Sequence, residues 1–282
     1  MESLLIAYGL ERAILRISIS RYAEHFTLKG GIFLYALFKG EYARATTDID
    51  LLGERISNDV DDMKSVFSEI FSIDADDPLR FDLDTLVVTP ITEFKEYHGV
   101  NVLIMAFLDR TRIPVSIDVG LGDVVYPGKV MMEFPAVLGD EGPQIFAYSL
   151  CSCVAEKFEA IVSLGYDNSR FKDFYDLYVL GRSYDFDGEE LKEAIRETFS
   201  NRGTEMKDIV AFEPGFAEKP LRQSRWKSFV KKKKALLDVS LDTAISSMRL
   251  FIEPVIRHCN DNTPFSCIWS HERQEWTALP ER

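Results

Sequence analysis

Residues 28–52 contain Leu28-Lys29-Gly30-Gly31, an apolar run from Ile32 to Phe38, and then Arg44-Ala45-Thr46-Thr47-Asp48-Ile49-Asp50-Leu51-Leu52. From Thr46 to Leu52 the pattern has a period of two. Ile49 and Leu51 point one way, and Asp48 and Asp50 the other, so this is a strand. Both carboxylates then lie on one face, about 7 Å apart along the backbone at the usual strand rise. Upstream, Phe26 to Lys29 reads as a short strand running into the Gly30-Gly31 turn. Ile32 to Phe38 reads as a helix closed by Gly40.

Two carboxylates this close repel and raise each other's pKa unless a cation neutralises them. Hard oxygen ligands on one face suit Mg²⁺, with Mn²⁺ as a substitute. Mg²⁺ takes one or two carboxylates and completes its shell with water and phosphate oxygens. Gly30 and Gly31 lack Cβ atoms, so backbone N–H groups can approach a triphosphate there. A helix starting just after them adds the positive end of its dipole. A third acid would complete the site. Asp118, on an apolar-flanked strand and opposite in facing to Val115, Ile117 and Val119, is the best candidate. It can bind metal or take the proton from an attacking hydroxyl.

Further along, strands are predicted at Leu83–Thr89, Val100–Leu108 and Arg112–Leu121, the last two joined by a hairpin at Asp109-Arg110-Thr111. Gly120 to Pro143 reads as loops and a substrate-facing rim. Residues 54–84 hold ten Asp/Glu against three Lys/Arg. They read as a solvated acidic face with a short helix from Asp59 to Phe71. Residues 2–24 are amphipathic helix rather than a signal peptide. Beyond about residue 145 the pattern is helical. One helix is capped by Ser149 and reaches Leu164, a second starts at Asn168 or Ser169, and others cover Glu189–Phe199, Lys219–Leu237 and Leu241–Arg257. The expected fold is α+β: an N-terminal α+β domain with a mixed sheet over 1–144, joined to a helical domain over 145–282.

The chain has 282 residues and a formal charge of −13. So acidic a protein is a poor non-specific coat for nucleic acid, because phosphate affinity comes from Lys and Arg. Four cysteines without a CxxC pair, and only four histidines, argue against a zinc site and for reduced thiols in a cytosolic, cytoplasmic protein. No apolar run is long enough for a membrane span.

Four motifs carry a resemblance to a known family. Leu28 to Gly31 with Arg44 to Leu52 is similar to the first motif of the AbiEii/AbiGii toxins, which include the MenT toxins and belong to the DNA polymerase β-like nucleotidyltransferase superfamily. Ser116-Ile117-Asp118-Val119-Gly120-Leu121-Gly122-Asp123 resembles its third-carboxylate strand. Ala155 to Ala160 resembles its lysine-bearing helix, and Ser169 to Leu177 its closing motif. The resemblance implies a catalytic set of Asp48, Asp50, Asp118 and Lys157, the three acids being the metal ligands. It implies a nucleotide-binding set of Gly30, Gly31, Arg44, Thr46, Lys157, Asp173 and Asp176. Two departures stand out: the superfamily's Gly-Ser is Gly30-Gly31 here, and Thr47 stands where many relatives have Arg.

Without the resemblance several of these residues read otherwise. Lys157 is a surface lysine, Asp173 and Asp176 are ordinary helix charges one turn apart, and Arg44 is equally a loop cation or a phosphate ligand. The basic segment 219–234, with Trp226 and Phe229 interleaved, either faces RNA or packs Trp226 inward and solvates its lysines. The expected activity is Mg²⁺-dependent transfer of a nucleoside monophosphate from an NTP to a hydroxyl. By resemblance the acceptor is the 3′ end of tRNA, and the protein is a translation-blocking toxin with a cognate antitoxin. Transfer to a protein or an aminoglycoside-like small molecule, or nucleotide binding without turnover, remain open alternatives.

Overall fold

The computed structural model describes residues 2–41, 46–91, 99–139, 141–233 and 238–278. The chain divides into two compact units, one of residues 1–123 and 129–148, the other of residues 124–128 and 149–282.

In the first unit the elements are α1 (Glu2–Ile19), β1 (Phe26–Lys29), α2 (Gly30–Leu37), β2 (Asp48–Gly53), α3 (Val60–Phe71), β3 (Leu79–Ile91), β4 (Gly99–Leu108), β5 (Thr111–Leu121), β6 (Val130–Glu133) and β7 (Gln144–Ala147). The strands form one mixed sheet in the order β3-β4-β5-β2-β1-β7-β6. β2 with β5, and β1 with β7, are the parallel pairs. One face is apolar and buried: Ile49 and Leu51 of β2, Val102, Ile104 and Ala106 of β4, and Ile113, Val115 and Ile117 of β5. α1 packs on β5 at Gly9, where a Cβ would sit 2.6 Å from Ile113 Cγ2. α3 adds a ladder of rings, Phe67–Phe71 and Phe71–Phe81, with centroids 6.0 and 4.5 Å apart.

Asp59 caps α3, its carboxylate accepting from the N–H groups of Asp61 and Asp62, as Asp does at N-caps. Most of the acidic stretch is exposed, as expected for a solvated face. Asp77 departs from that. Its carboxylate receives two hydrogen bonds from the Arg16 guanidinium, at 2.9 and 3.1 Å, and this buried fork ties α1 to the start of β3. The segment read as loops between Gly120 and Pro143 contains β6, which pairs antiparallel with β7. Val130-Met131-Met132-Glu133 is too short to show a period, so only pairing reveals it.

In the second unit come α4 (Leu150–Leu164), α5 (Phe171–Ser183), β8 (Phe186–Asp187), α6 (Gly188–Arg202), α7 (Pro220–Lys233), α8 (Leu241–Asn260), β9 (Cys267–Ser270) and β10 (Glu275–Ala278). Ser149 caps α4 as anticipated. α5 begins differently: Arg170 is its N-cap and makes no side-chain cap bond. Asn168 instead accepts from the Arg170 N–H at 2.7 Å. The helical unit also carries a three-stranded sheet, β10-β9-β8, that the helical reading did not contain. Its buried Trp269 donates to Gly181 O at 2.6 Å, and Trp276 donates to Phe251 O at 2.9 Å. The four thiols are free, and burial pushes Cys153 up to about 12.

Candidate active site

Asp50 is the register partner of Asp118 across the parallel β2–β5 pair, and Asp48 that of Ser116. Alternation therefore places all three carboxylates on the sheet face opposite the apolar core. Each carboxylate has its own donor. The Gly31 N–H donates to Asp50 Oδ2 at 3.1 Å, at the N-terminus of α2, where the helix dipole favours negative charge. Thr47 Oγ1 donates to Asp48 Oδ2 at 3.0 Å. Asn101 Nδ2 donates to Asp118 Oδ1 at 2.7 Å and to Ser116 Oγ at 3.2 Å.

Gly30 explains why glycine stands before α2. Its φ is +65°, and a Cβ there would lie 2.2 Å from Asp50 Oδ2. The close approach that requires glycine is that of the Asp50 carboxylate.

Lys29, the register partner of Asp50, extends its ammonium to Asp123 Oδ2 at 2.6 Å, with both side chains largely buried. Thr46 sits at the mouth of β2 and donates through Oγ1 to Asp48 O at 3.2 Å. Arg44 lies outside the described residues.

Whether these residues suit a divalent cation turns on the donor set. Asp50 and Asp118 are hard oxygen donors on neighbouring strands, and Asp48 is exposed two residues from Asp50. Among the described residues no three His, Cys, Asp or Glu side chains already converge as a cage. Mg²⁺ does not need one, since it is held by one or two carboxylates with water and phosphate oxygens. The residues fit Mg²⁺ in that sense, with Asp50 and Asp118 as the central pair.

In the second unit Lys157 Nζ donates to Asp176 Oδ2 at 2.7 Å and stands 3.5 Å from Asp173 Oδ1. Arg170 Nε donates to Asp173 Oδ2 at 2.8 Å. Lys157, Asp173 and Asp176 are all buried, so Lys157 is not the surface lysine that its local sequence suggests. Asp173 and Asp176, one turn apart on α5, converge on one ammonium rather than on solvent.

The basic segment is structural along one side. Arg222 is buried and donates to Phe216 O at 2.7 Å and to Tyr166 O at 2.9 Å. Buried Trp226 donates to Val239 O at 2.7 Å. Lys219, Arg225, Lys227 and Lys231 are exposed, and Lys234 lies outside the described residues.

Sequence reading missed Asn101, Lys29 and Asp123 as site residues. Asn101 had a signal: it is the one polar side chain in Gly99-Val-Asn-Val-Leu-Ile-Met-Ala-Phe-Leu108. The Lys29–Asp123 pair spans 94 residues, and nothing local announces it. Among the described residues no helix is long and apolar enough to cross a membrane.

Two solved structures share this fold. The Helicobacter pylori protein JHP933 is 13% identical, with a TM-score of 0.52 over 93% of this chain and 95% of its own. A second H. pylori protein, provisionally described as a nucleotidyltransferase, is 13% identical, with a TM-score of 0.52 over 94% of this chain and 100% of its own. No curated protein matches the chain. The family model of the nucleotidyl transferase AbiEii toxin, type IV toxin–antitoxin system, matches residues 12–247. Such a family works on a nucleotide and is paired with an antitoxin. With its three carboxylates on one sheet face and that match covering most of its length, the chain belongs to the AbiEii nucleotidyltransferase toxin family and is a nucleotidyltransferase.

Proposed function

We propose that the protein transfers a nucleoside monophosphate from an NTP to the 3′ hydroxyl of a tRNA, with Mg²⁺ held by Asp48, Asp50 and Asp118, and that it thereby blocks translation until its antitoxin intervenes. The observation that carries this reading is the pairing of Asp50 with Asp118 across β2 and β5. It sets two carboxylates side by side on the sheet face opposite buried Ile49 and Ile117.

A divalent cation held by Asp48, Asp50 and Asp118 would supply neutralisation of the phosphate charge. The chain's own residues do the rest. Asp118, held through Oδ1 by Asn101, accepts the hydroxyl proton as the oxygen bonds to the α-phosphorus. The bond from that phosphorus to the bridging oxygen breaks, and pyrophosphate leaves. The α2 N-terminus, with the Gly31 N–H turned toward Asp50, orients that carboxylate. Gly30, Gly31 and Thr46 supply nucleotide contacts from the first unit.

Incubation with each labelled NTP, Mg²⁺ and total tRNA tests the reading. Label at the tRNA 3′ end, with pyrophosphate released in equal amount, is the expected result. Label on protein alone, or none at all, contradicts it.

A further inference from the structure

The carboxylates share their sheet face with further residues of β3, β4 and β5. Because Val102, Ile104 and Ala106 of β4 and Ile113, Val115 and Ile117 of β5 are buried, the alternate residues of both strands share the face with Asp118. The register continues rung by rung from the site. Asn101 pairs with Asp118, Leu103 with Ser116, and Phe107 with Arg112. On the other side of β4, Val87 pairs with Leu103 and Arg80 with Phe107. Leu103 and Val87, opposite each other, are 45% and 49% exposed. The last rung reads Arg80–Phe107–Arg112, with the Arg80 guanidinium 5.0 Å from the Phe107 ring centroid and both arginines exposed.

We propose that this face is a track for the single-stranded 3′ end of a polynucleotide acceptor. The terminal hydroxyl lies at Asp118, the bases rest on Leu103, Val87 and Phe107, and the backbone phosphates are held by Arg80 and Arg112. This rests on the RNA-acceptor reading above and extends it.

Three observations support the assignment. A lone exposed leucine is ordinary on any surface, but here two exposed apolar residues face each other in register with the carboxylate row. A chain of net charge −13 places two arginines across one rung, and cations are what a phosphate backbone requires. Apolar and aromatic surface alternating with cations is how single strands are held without sequence preference. The length also fits. From Asp118 to Arg112 is six residues of strand, roughly 20 Å, room for a few nucleotides. Asp82, opposite Met105 on the outer strand β3, shares this face between Arg80 and Val87.

The test uses the full chain. Binding of a fluorescent single-stranded RNA hexamer is followed by anisotropy as a function of salt, for wild type, Arg80→Ala/Arg112→Ala and Leu103→Glu. Labelling of total tRNA is measured in parallel. The track predicts that the double variant binds about tenfold more weakly, with the slope of log affinity against log salt reduced by roughly 1.4, at about 0.7 per single-strand phosphate contact. Leu103→Glu, a surface change of one residue, weakens binding in the same sense and decides the matter should the double variant fail to fold. Wild type that labels tRNA, with variants that bind the hexamer as wild type does, overturns the track and leaves the RNA reading standing. Wild type that labels only protein, or nothing, overturns both.

Discussion

Asp50 and Asp118 are neighbours on adjacent parallel strands, one carboxylate turned to the Gly31 N–H and the other to the Asn101 amide. Adjacent strands stand about 4.8 Å apart, so two negative charges are held close and repel in the folded chain. Asp118→Asn keeps the shape and still accepts from Asn101, but removes one of those charges. Its stability should equal or exceed that of wild type by up to about 1 kcal/mol, as happens where function is bought with stability. Urea unfolding checks this. A clear loss of stability would mean that the Asp118 charge serves the fold.

Gly30 joins the glycine motif to the site. With φ at +65° and Asp50 Oδ2 where a Cβ would go, Gly30→Ala forces the carboxylate aside as well as straining the backbone. The strain costs about 1–3 kcal/mol, and transfer should fall further than that loss of folded protein explains. Parallel thermal unfolding and NTP-turnover measurements separate the two effects. Normal turnover per folded molecule would contradict the role given to Gly30.

The buried Lys157–Asp176 pair, with Asp173 beside it, makes a stability prediction of opposite sign. Lys157→Met leaves two carboxylates buried without their ammonium, and breaking such a pair costs about 3–5 kcal/mol. Lys157→Met with Asp176→Leu removes both charges of the closest pair and should recover part of that. Urea midpoints for the two variants check it. Equal destabilisation in both would mean that volume, not charge, governs this cluster.

The segment from Lys219 to Lys231 should split by position. Trp226→Ala removes a buried indole and its bond to Val239 O, a loss of about 3–5 kcal/mol. Arg225→Glu or Lys227→Glu, at exposed positions, should leave stability within about 0.5 kcal/mol. Thermal unfolding of the three variants decides. Equal effects would mean that the helix has no inward face.

Most of the first unit was legible because its central strands alternate buried apolar residues with polar ones. In Asp48-Ile49-Asp50-Leu51 and Val115 to Val119 the period of two shows directly, and it sets the three acids opposite the apolar residues of their strands. The cap at Ser149 and the helices of the second unit were legible through their apolar spacing and polar starts. Pairing-dependent features were not. β6 is four residues without a period, and β9 and β10 are defined by tryptophans that bond to Gly181 and Phe251, far away in sequence. Lys157 shows the same limit from the other side. Its neighbours make it look exposed, while Asp173 and Asp176, supplied by the next helix, let it be buried. Asn101 could have been found, since an amide alone in an apolar strand must bond to something across the sheet.

The most direct measurement is transfer of label from an α-labelled NTP to total tRNA by Asp48→Ala, Asp50→Asn and Asp118→Asn, each first shown to unfold cooperatively. If the three carboxylates form the reaction centre, each variant loses transfer on the order of a hundredfold or more while remaining folded. Any one of them labelling RNA at the wild-type rate would place the chemistry elsewhere in the chain.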